Sequence, residues 1–401
     1  MKDSEIKIGI NIGKAGKRDR GISVYTRNLL HEMTTLEGNH KFVFLHYPES
    51  SPSDGSYETS NSNYYPLPYT DNGSPLKTIF NEQVLNPIQQ ARLGLDIAWH
   101  PHNRSQLFSP CTYACTLHDI LPVARPDLAG KYLNSPAKQL LFLSRTLTAR
   151  NADVVITVSE FSRQEIISRL KVRPDKVVAI HSGVDRNTFH PDMNGESWDH
   201  IKQTHSLPEK YVLTTGSYAP HKNLPTLVEA YAHSQLPAEN VGLVMVGPND
   251  ATGYRIGYQQ VEKRVIDYGL SAKVRLLPSV SEADLVAIYS HATFFAIASL
   301  YEGFGFTALE AMACETPVVA SCLAAIPEIC QSAAIYVDPT KPEEFTQQFN
   351  LLNANTDLQQ ELITKGRKQV QKFDWRNCAT ETLAVLVSAA HKNKPLKGRS
   401  S

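Results

Sequence analysis

Neither sign of charge dominates this sequence, because 40 Lys and Arg balance 40 Asp and Glu. A formal net charge of zero removes the basic footprint of a protein whose main partner is nucleic acid, so any contact with phosphate or anionic lipid is local. Long apolar runs are missing as well. No stretch approaches the roughly 18 residues that a bilayer-spanning helix needs, and the charged start Met1-Lys2-Asp3-Ser4-Glu5 leads straight into a strand pattern. The chain therefore reads as cytoplasmic. Cysteine is scarce: six residues, at 111, 115, 314, 322, 330 and 378, form no C-x-x-C pair. That spacing indicates neither a zinc site nor a disulfide framework.

What is present is alternation. A chain of 401 residues exceeds the size at which one core stops growing, so two domains are expected. Apolar and β-branched runs at 6–12, 42–46, 96–100, 113–118, 154–158 and 177–181 are separated by helical stretches such as 138–150 and 160–170, the mark of a parallel, doubly wound sheet. Gly13, Gly16 and Gly21 make a glycine loop between the first strand and the first helix. Residues 47–77, rich in Ser, Asn, Tyr and Pro, have no period and read as a long surface loop. After Asp185 the pattern loosens through Pro191, Gly195 and Pro208, then resumes at 211–215, 241–246, 274–277, 294–298, 317–320 and 334–337. The expected architecture is α/β, with Rossmann-like domains at 1–190 and 208–374, an interdomain cleft, and a last helix, 375–391, crossing back to the first domain.

The densest chemistry lies at Ser299-Leu300-Tyr301-Glu302-Gly303-Phe304-Gly305-Phe306-Thr307-Ala308-Leu309-Glu310. A strand ends, a glycine turn follows and a helix starts near Phe306, so backbone amides and the positive end of the helix dipole face a space that suits a diphosphate. For a lone Gly-x-Gly the ordinary strand-to-helix turn is the better reading. Here Glu302 and Glu310 bracket the glycines, on the order of 10 Å apart along a mostly helical interval. Glycosidase pairs stand about 5–9.5 Å apart across a single bond; the wider spacing suits one long ligand gripped at two points. Each Glu alone would read as a solvated charge.

On these residues the sequence resembles the family-4 retaining glycosyltransferases of the GT-B fold, whose hallmark E-x7-E falls on Glu302 and Glu310. The resemblance implies that Glu302 holds hydroxyls of the donor sugar and Glu310 the nucleotide ribose. It also implies that the loop of Gly303, Phe304, Gly305, Phe306 and Thr307 meets the diphosphate. The run from Thr215 and Ser217 to His221-Lys222-Asn223-Leu224 is similar to the family's phosphate-binding turn, which makes Lys222 the cation that neutralises the leaving group, a task metal ions perform elsewhere. A lysine at a helix start is disfavoured by the dipole, which independently argues for an anion beside it. Two positions depart from the pattern: Ser217 stands where many relatives have Arg, and His221 is the first of the basic pair, so the phosphates meet less fixed charge.

In the first half, Arg20, Gly21 and Tyr25 resemble the glycine loop that faces the acceptor. A dehydrogenase would instead need G-x-G-x-x-G, which Gly13, Gly16 and Gly21 do not give. Thr116-Leu117-His118-Asp119 closes a strand at its carboxyl end, where doubly wound sheets bind ligands. A lone histidine there is usually structural; the resemblance assigns His118 a contact with the transferred sugar.

The expected function is metal-independent transfer of a hexose, with retention, from a nucleotide-diphosphate sugar to a glycan or lipid-linked acceptor in surface polysaccharide biosynthesis. No cofactor is implied beyond the donor, and similarity to bacterial polysaccharide mannosyltransferases favours mannose carried as GDP-mannose. A GT-B nucleotide-sugar epimerase or synthase, or an inactive sugar-nucleotide-binding subunit, remains the alternative; Ser217 and His221 favour the latter, and Glu302 and Lys222 oppose it. Lys14, Lys17, Arg18, Arg20 and Arg27 cluster early, and helix 138–150 sets Leu and Phe beside Lys138, Arg145 and Arg150. That helix reads first as an ordinary amphipathic packing helix and second as a peripheral contact with anionic lipid on the cytoplasmic face.

Overall fold

The computed structural model describes residues 5–13, 21–36, 38–47, 62–67, 74–103, 106–129, 135–192, 198–248 and 255–393. The chain forms two compact units, the first from residues up to 124, 132–183 and from 374 onward, the second from 125–131 and 184–373.

The first unit holds a seven-stranded sheet of β1 (Lys7–Gly13), β2 (Lys41–His46), β3 (Ser62–Pro66), β4 (Ile97–His100), β5 (Thr112–Thr116), β6 (Val154–Thr157) and β7 (Val177–Ala179). Its order is β3-β2-β1-β4-β5-β6-β7, with every pairing parallel. Ile8, Ile10, Val43, Phe44, Trp99, Val155 and Ile156 are fully buried, as expected where helices cover both faces of a parallel sheet. The second unit repeats the plan with β8 (Lys210–Thr215), β9 (Val241–Val246), β10 (Val274–Leu277), β11 (Phe294–Ile297), β12 (Val318–Ser321) and β13 (Ala334–Val337) in the order β10-β9-β8-β11-β12-β13, again all parallel. In each sheet the winding reverses once, between β1 and β4 and between β8 and β11. Ligands of open α/β sheets bind beyond the strand ends at such a point.

Two expectations change, on the stretch 47–77 and on the end of the first unit. The stretch 47–77 is not a loop throughout: it contains β3, parallel to β2 at the sheet edge, and the start of the helix Pro75–Phe80. β3 is short, half-exposed and closed by Pro66, properties an edge strand tolerates; the rest of the stretch falls mostly outside the described residues. The first unit ends at Gly183, earlier than 190, and Val184 donates its N–H to the Phe373 carbonyl of the second unit at 3.1 Å. The last helix, Trp375–Asn393, belongs to the first unit and packs on the helix Ile22–Thr35 and beside β4 and β5. A Cβ on Gly183 would lie 2.4 Å from the Trp375 backbone nitrogen, so only glycine lets that helix start so close. No helix among the described residues is long and apolar enough to cross a membrane.

Candidate active site

In the second unit the site grows from the carboxyl ends of β8 and β11, the two strands at the reversal. β8 ends at Thr215, and Gly216 follows with φ 135°, a backbone that L side chains rarely adopt. A Cβ on Gly247, after β9, would sit 1.8 Å from the Gly216 carbonyl oxygen, so the two strand ends meet backbone to backbone. The chain then makes a short turn, Pro220–Lys222, ended by Asn223 in left-handed geometry with its side-chain amide donating to the Pro339 carbonyl at 2.7 Å. The Leu300 N–H donates to the His221 carbonyl at 2.7 Å and stitches this turn to the loop after β11.

The two loops deliver Lys222 to Glu302. Lys222 Nζ donates to Glu302 Oε1 at 2.5 Å, and Ser299 Oγ donates to the same oxygen at 2.7 Å. The side chains are 17% and 15% exposed, so the pair is mostly but not wholly dry. Burial works against charge on Glu302. The Lys222 ammonium, nearby His221 and the two hydrogen bonds outweigh it and hold the carboxyl below its usual range. At neutral pH this is an ion pair whose lysine can turn toward an incoming anion.

Gly305 precedes the helix Phe306–Ala313 with φ 138°, and a Cβ there would press on Ile326 Cδ1 at 3.0 Å. No side chain caps this helix, so its first-turn amides and dipole are directed at the space before it. Glu310, one turn further on, is half-buried and accepts from Tyr289 Oη at 3.0 Å. Tyr289 Oη lies 2.6 Å from Thr215 Oγ1 at the end of β8. Since Tyr289 gives its proton to a carboxylate, Thr215 donates to Tyr289, and the chain Thr215, Tyr289, Glu310 fixes one carboxylate oxygen. Burial and Glu310 raise the Tyr289 hydroxyl well above its ordinary pKa, so it stays a donor.

Among the other residues singled out from sequence, Ser217 is half-buried between the end of β8 and the Lys222 turn, and Gly303, Phe306 and Thr307 are half-buried around the helix start. Phe304 is different: its ring packs 4.9 Å from Phe306 and 5.8 Å from Phe373, 4% exposed, so only its backbone can meet a ligand.

The first unit holds His118 just past β5. Its N–H is fixed by Asn103 Oδ1 at 2.7 Å, and Nε2 lies 3.1 Å from the Pro101 carbonyl, which assigns the ring proton to Nε2 and leaves Nδ1 the acceptor. The Tyr25 ring meets it edge-on at 4.6 Å and in turn contacts Trp375. Tyr25, expected to face an acceptor, is fully buried and packs edge-on against His118. Gly21 opens the helix Ile22–Thr35 with φ 92° and open space where a Cβ would be. Arg20, Lys14, Lys17 and Arg18 lie outside the described residues.

Burial lowers the His118 pKa from 6.5 to about 4, with the Pro101 contact opposing. The unfolded chain therefore binds a proton near pH 6.5 that the folded chain refuses until about pH 4, and stability must fall as pH drops through that window. His118→Gln removes the titration. Urea unfolding at pH 7 and pH 4.5 should show the wild type losing about 2–3 kcal/mol more than the variant; equal losses would contradict a buried neutral histidine.

Sequence reading missed Ser299 as a partner of Glu302, Tyr289 and Thr215 as the holders of Glu310, and Asn103 as the clamp on His118. Ser299 and Thr215 could have been suspected from their positions at strand ends. Tyr289 lies in the last turn of the helix Glu282–Ser290 and carries no such signal. Among the described residues no group of three or more His, Cys, Asp or Glu is arranged to hold a metal ion.

Residues 197–369 match the family model described as Glycosyl transferases group 1, and residues 20–188 match Glycosyltransferase Family 4. The serotype-specific mannosyltransferase WbdA of Escherichia coli is 27% identical over 274 residues, 67% of this chain and 32% of that protein, so the match spans about a third of it. The O-antigen chain mannosyltransferase B of Escherichia coli is 29% identical over 272 residues, 67% of this chain and 68% of that one. In fold, a sucrose-phosphate synthase from Thermosynechococcus elongatus superimposes with a TM-score of 0.76 at 20% identity, covering 97% of this chain and all of the other. A glycosyltransferase from Rickettsia africae gives 0.72 at 18% over the same shares.

Proposed function

We propose that this chain, which carries a group 1 glycosyltransferase domain and a family 4 glycosyltransferase domain, moves a hexose from a nucleoside-diphosphate sugar to a glycan or lipid-linked acceptor with retention and without a metal. The observation that carries the reading is the Lys222–Glu302 ion pair at the reversal point of the second sheet, set before an uncapped helix start. On donor binding Lys222 turns to the diphosphate, while Glu302 accepts from sugar hydroxyls and Ser299 keeps its hydrogen bond to Oε1. The bond between the anomeric carbon and the diphosphate oxygen breaks, its electron pair leaving with the diphosphate, where Lys222 and the helix amides stabilise the charge. The acceptor hydroxyl attacks from the same side and passes its proton to the departing phosphate oxygen. Neutral His118 offers Nδ1 as an acceptor for a sugar hydroxyl. Mannose is the sugar we favour, because WbdA and mannosyltransferase B are named mannosyltransferases; the GDP carrier rests on the family resemblance of the sequence alone.

The test is a panel of nucleotide sugars with a synthetic glycan acceptor, read by nucleoside diphosphate release and by NMR of the product anomer. We expect one α-linked donor to give an α-linked product, with activity surviving exhaustive EDTA. A β product, or activity lost to EDTA and restored by magnesium or manganese, would overturn retention or metal independence respectively.

Glu310 should behave differently from its neighbours. Glu310→Ala is expected to weaken free nucleoside diphosphate binding by about 1.5–3 kcal/mol, the worth of a charge-assisted hydrogen bond, with turnover at saturating donor nearly unchanged. Tyr289→Phe should reproduce part of that loss by unlocking the carboxylate. Calorimetry with nucleoside diphosphate checks both, and a turnover defect with intact binding would contradict the assignment.

A further inference from the structure

His118 stands two residues past β5, where the strand's ladder is ending and buried backbone groups need other partners. The first unit supplies them. Leu117 N–H still donates to the Ile156 carbonyl at 2.9 Å, and Thr157 Oγ1 donates to the Leu117 carbonyl at 2.6 Å. On the next residue, His118 N–H donates to Asn103 Oδ1 at 2.7 Å, and Ser162 Oγ donates to the His118 carbonyl at 3.2 Å. Three segments far apart in sequence, the loop after β4, the end of β6 and the start of the helix Glu160–Leu170, thus grip one dipeptide.

Of these groups Ser162 is the least expected. A serine at a helix start is ordinarily a capping residue, but the cap here is Ser159, whose Oγ accepts the Ser162 N–H at 3.1 Å. The Ser162 hydroxyl is therefore not needed for the cap. It belongs to a residue only 1% exposed, and it crosses 44 positions of sequence to reach the His118 carbonyl. Asn103 fixes the peptide plane before the His118 Cα, and Ser162 fixes the plane after it. With both planes set, the bond from Cα to the side chain has one direction. Within the ring, Nε2 meets the Pro101 carbonyl and leaves Nδ1 as the acceptor, a lone pair that points one way only. A tilt of the second plane would swing that lone pair, and misplacing a reacting contact by about 1 Å can cost roughly a hundredfold in rate.

We infer that Ser162 is a positioning residue for His118: by holding the peptide that follows it, the hydroxyl sets the direction of the ring and of Nδ1. The effect on rate rests on the sugar contact proposed above; the orientation of the ring does not. The test is proton–nitrogen correlation NMR of the full chain labelled at histidine nitrogen, with the His118 signals identified by their loss in His118→Gln. Wild type should carry the ring proton on Nε2. Ser162→Ala should move the His118 signals and populate the tautomer protonated on Nδ1, while kcat falls about tenfold and KM for the donor stays within about twofold. Ser162→Cys, close in volume and a weaker donor, should move the signals less in the same direction, and it carries the test if the alanine variant does not fold. Ser159→Ala removes the helix cap but keeps the Ser162 hydroxyl, so it should lower the melting temperature and leave the His118 signals in place. Unmoved His118 signals in the Ser162 variants, or an equal shift in Ser159→Ala, would overturn the inference. Shifted signals in a protein that transfers no sugar from any nucleotide donor would uphold it and sink the proposed transfer instead.

Discussion

Lys222→Ala is expected to lower turnover by about two to three orders of magnitude, the usual cost of losing one preorganised group that meets developing charge. The lysine would do most in the transition state, when the diphosphate acquires the electron pair of the breaking bond, so the loss should appear in kcat more than in KM. The variant also leaves Glu302 without its cation. A buried carboxylate stripped of its partner costs about 3–5 kcal/mol, less here because water reaches the pair, so melting temperature must be measured beside activity. A free nucleoside diphosphate should partly restore the wild-type melting temperature without restoring turnover to any sugar donor. If Lys222→Ala turns over within about fivefold of wild type at matched folding, the lysine is a structural partner of Glu302 and the leaving group is stabilised elsewhere.

Glu302→Gln should lower turnover by roughly a hundredfold while preserving shape. The amide can still accept from Ser299, but it no longer balances Lys222 and accepts more weakly from sugar hydroxyls. Because Lys222 and Glu302 share one contact, their effects cannot be independent. The double variant should be no more than about tenfold slower than Lys222→Ala alone, well short of the multiplied losses. Multiplicative losses would place the two residues on separate tasks. The carboxyl is held below its usual range, so its share of stability is complete above the unfolded value and is lost only as pH falls through the folded one. An acid limb between pH 5 and 7 in the rate profile would therefore have to come from another group.

Much of this was legible in sequence for a physical reason. Parallel strands buried on both faces must be continuous apolar runs, and twelve of the thirteen strands announce themselves that way. β3 escaped because an edge strand written Ser62-Asn63-Tyr64-Tyr65-Pro66 inside a polar stretch needs no such run. At the site, Glu302, Gly305 and Glu310 were legible because one strand, turn and helix carries all three. The contact between Lys222 and Glu302, 80 positions apart, depends on β8 and β11 being neighbours, which spacing within a segment cannot express. Tyr289 is invisible for the same reason: its hydroxyl matters only because Thr215 and Glu310 meet over it. Tyr25 departs from expectation because a tyrosine beside a glycine loop looks alike in sequence whether its ring turns outward or packs edge-on against a buried histidine.

The close start of the last helix against Gly183 also orders the birth of the protein. A ribosome releases β1 to β7 long before Trp375 exists, and at about 5–20 residues per second the wait is roughly 10–40 s. During that interval Leu29 and Leu30 lack the helix that later packs on theirs, whereas all strands of the second sheet emerge in one uninterrupted run. The half of the protein made first is thus the half completed last, and until its final helix arrives it is a nascent chain with an open apolar seam that a chaperone must shield or that the finished second unit must outlast.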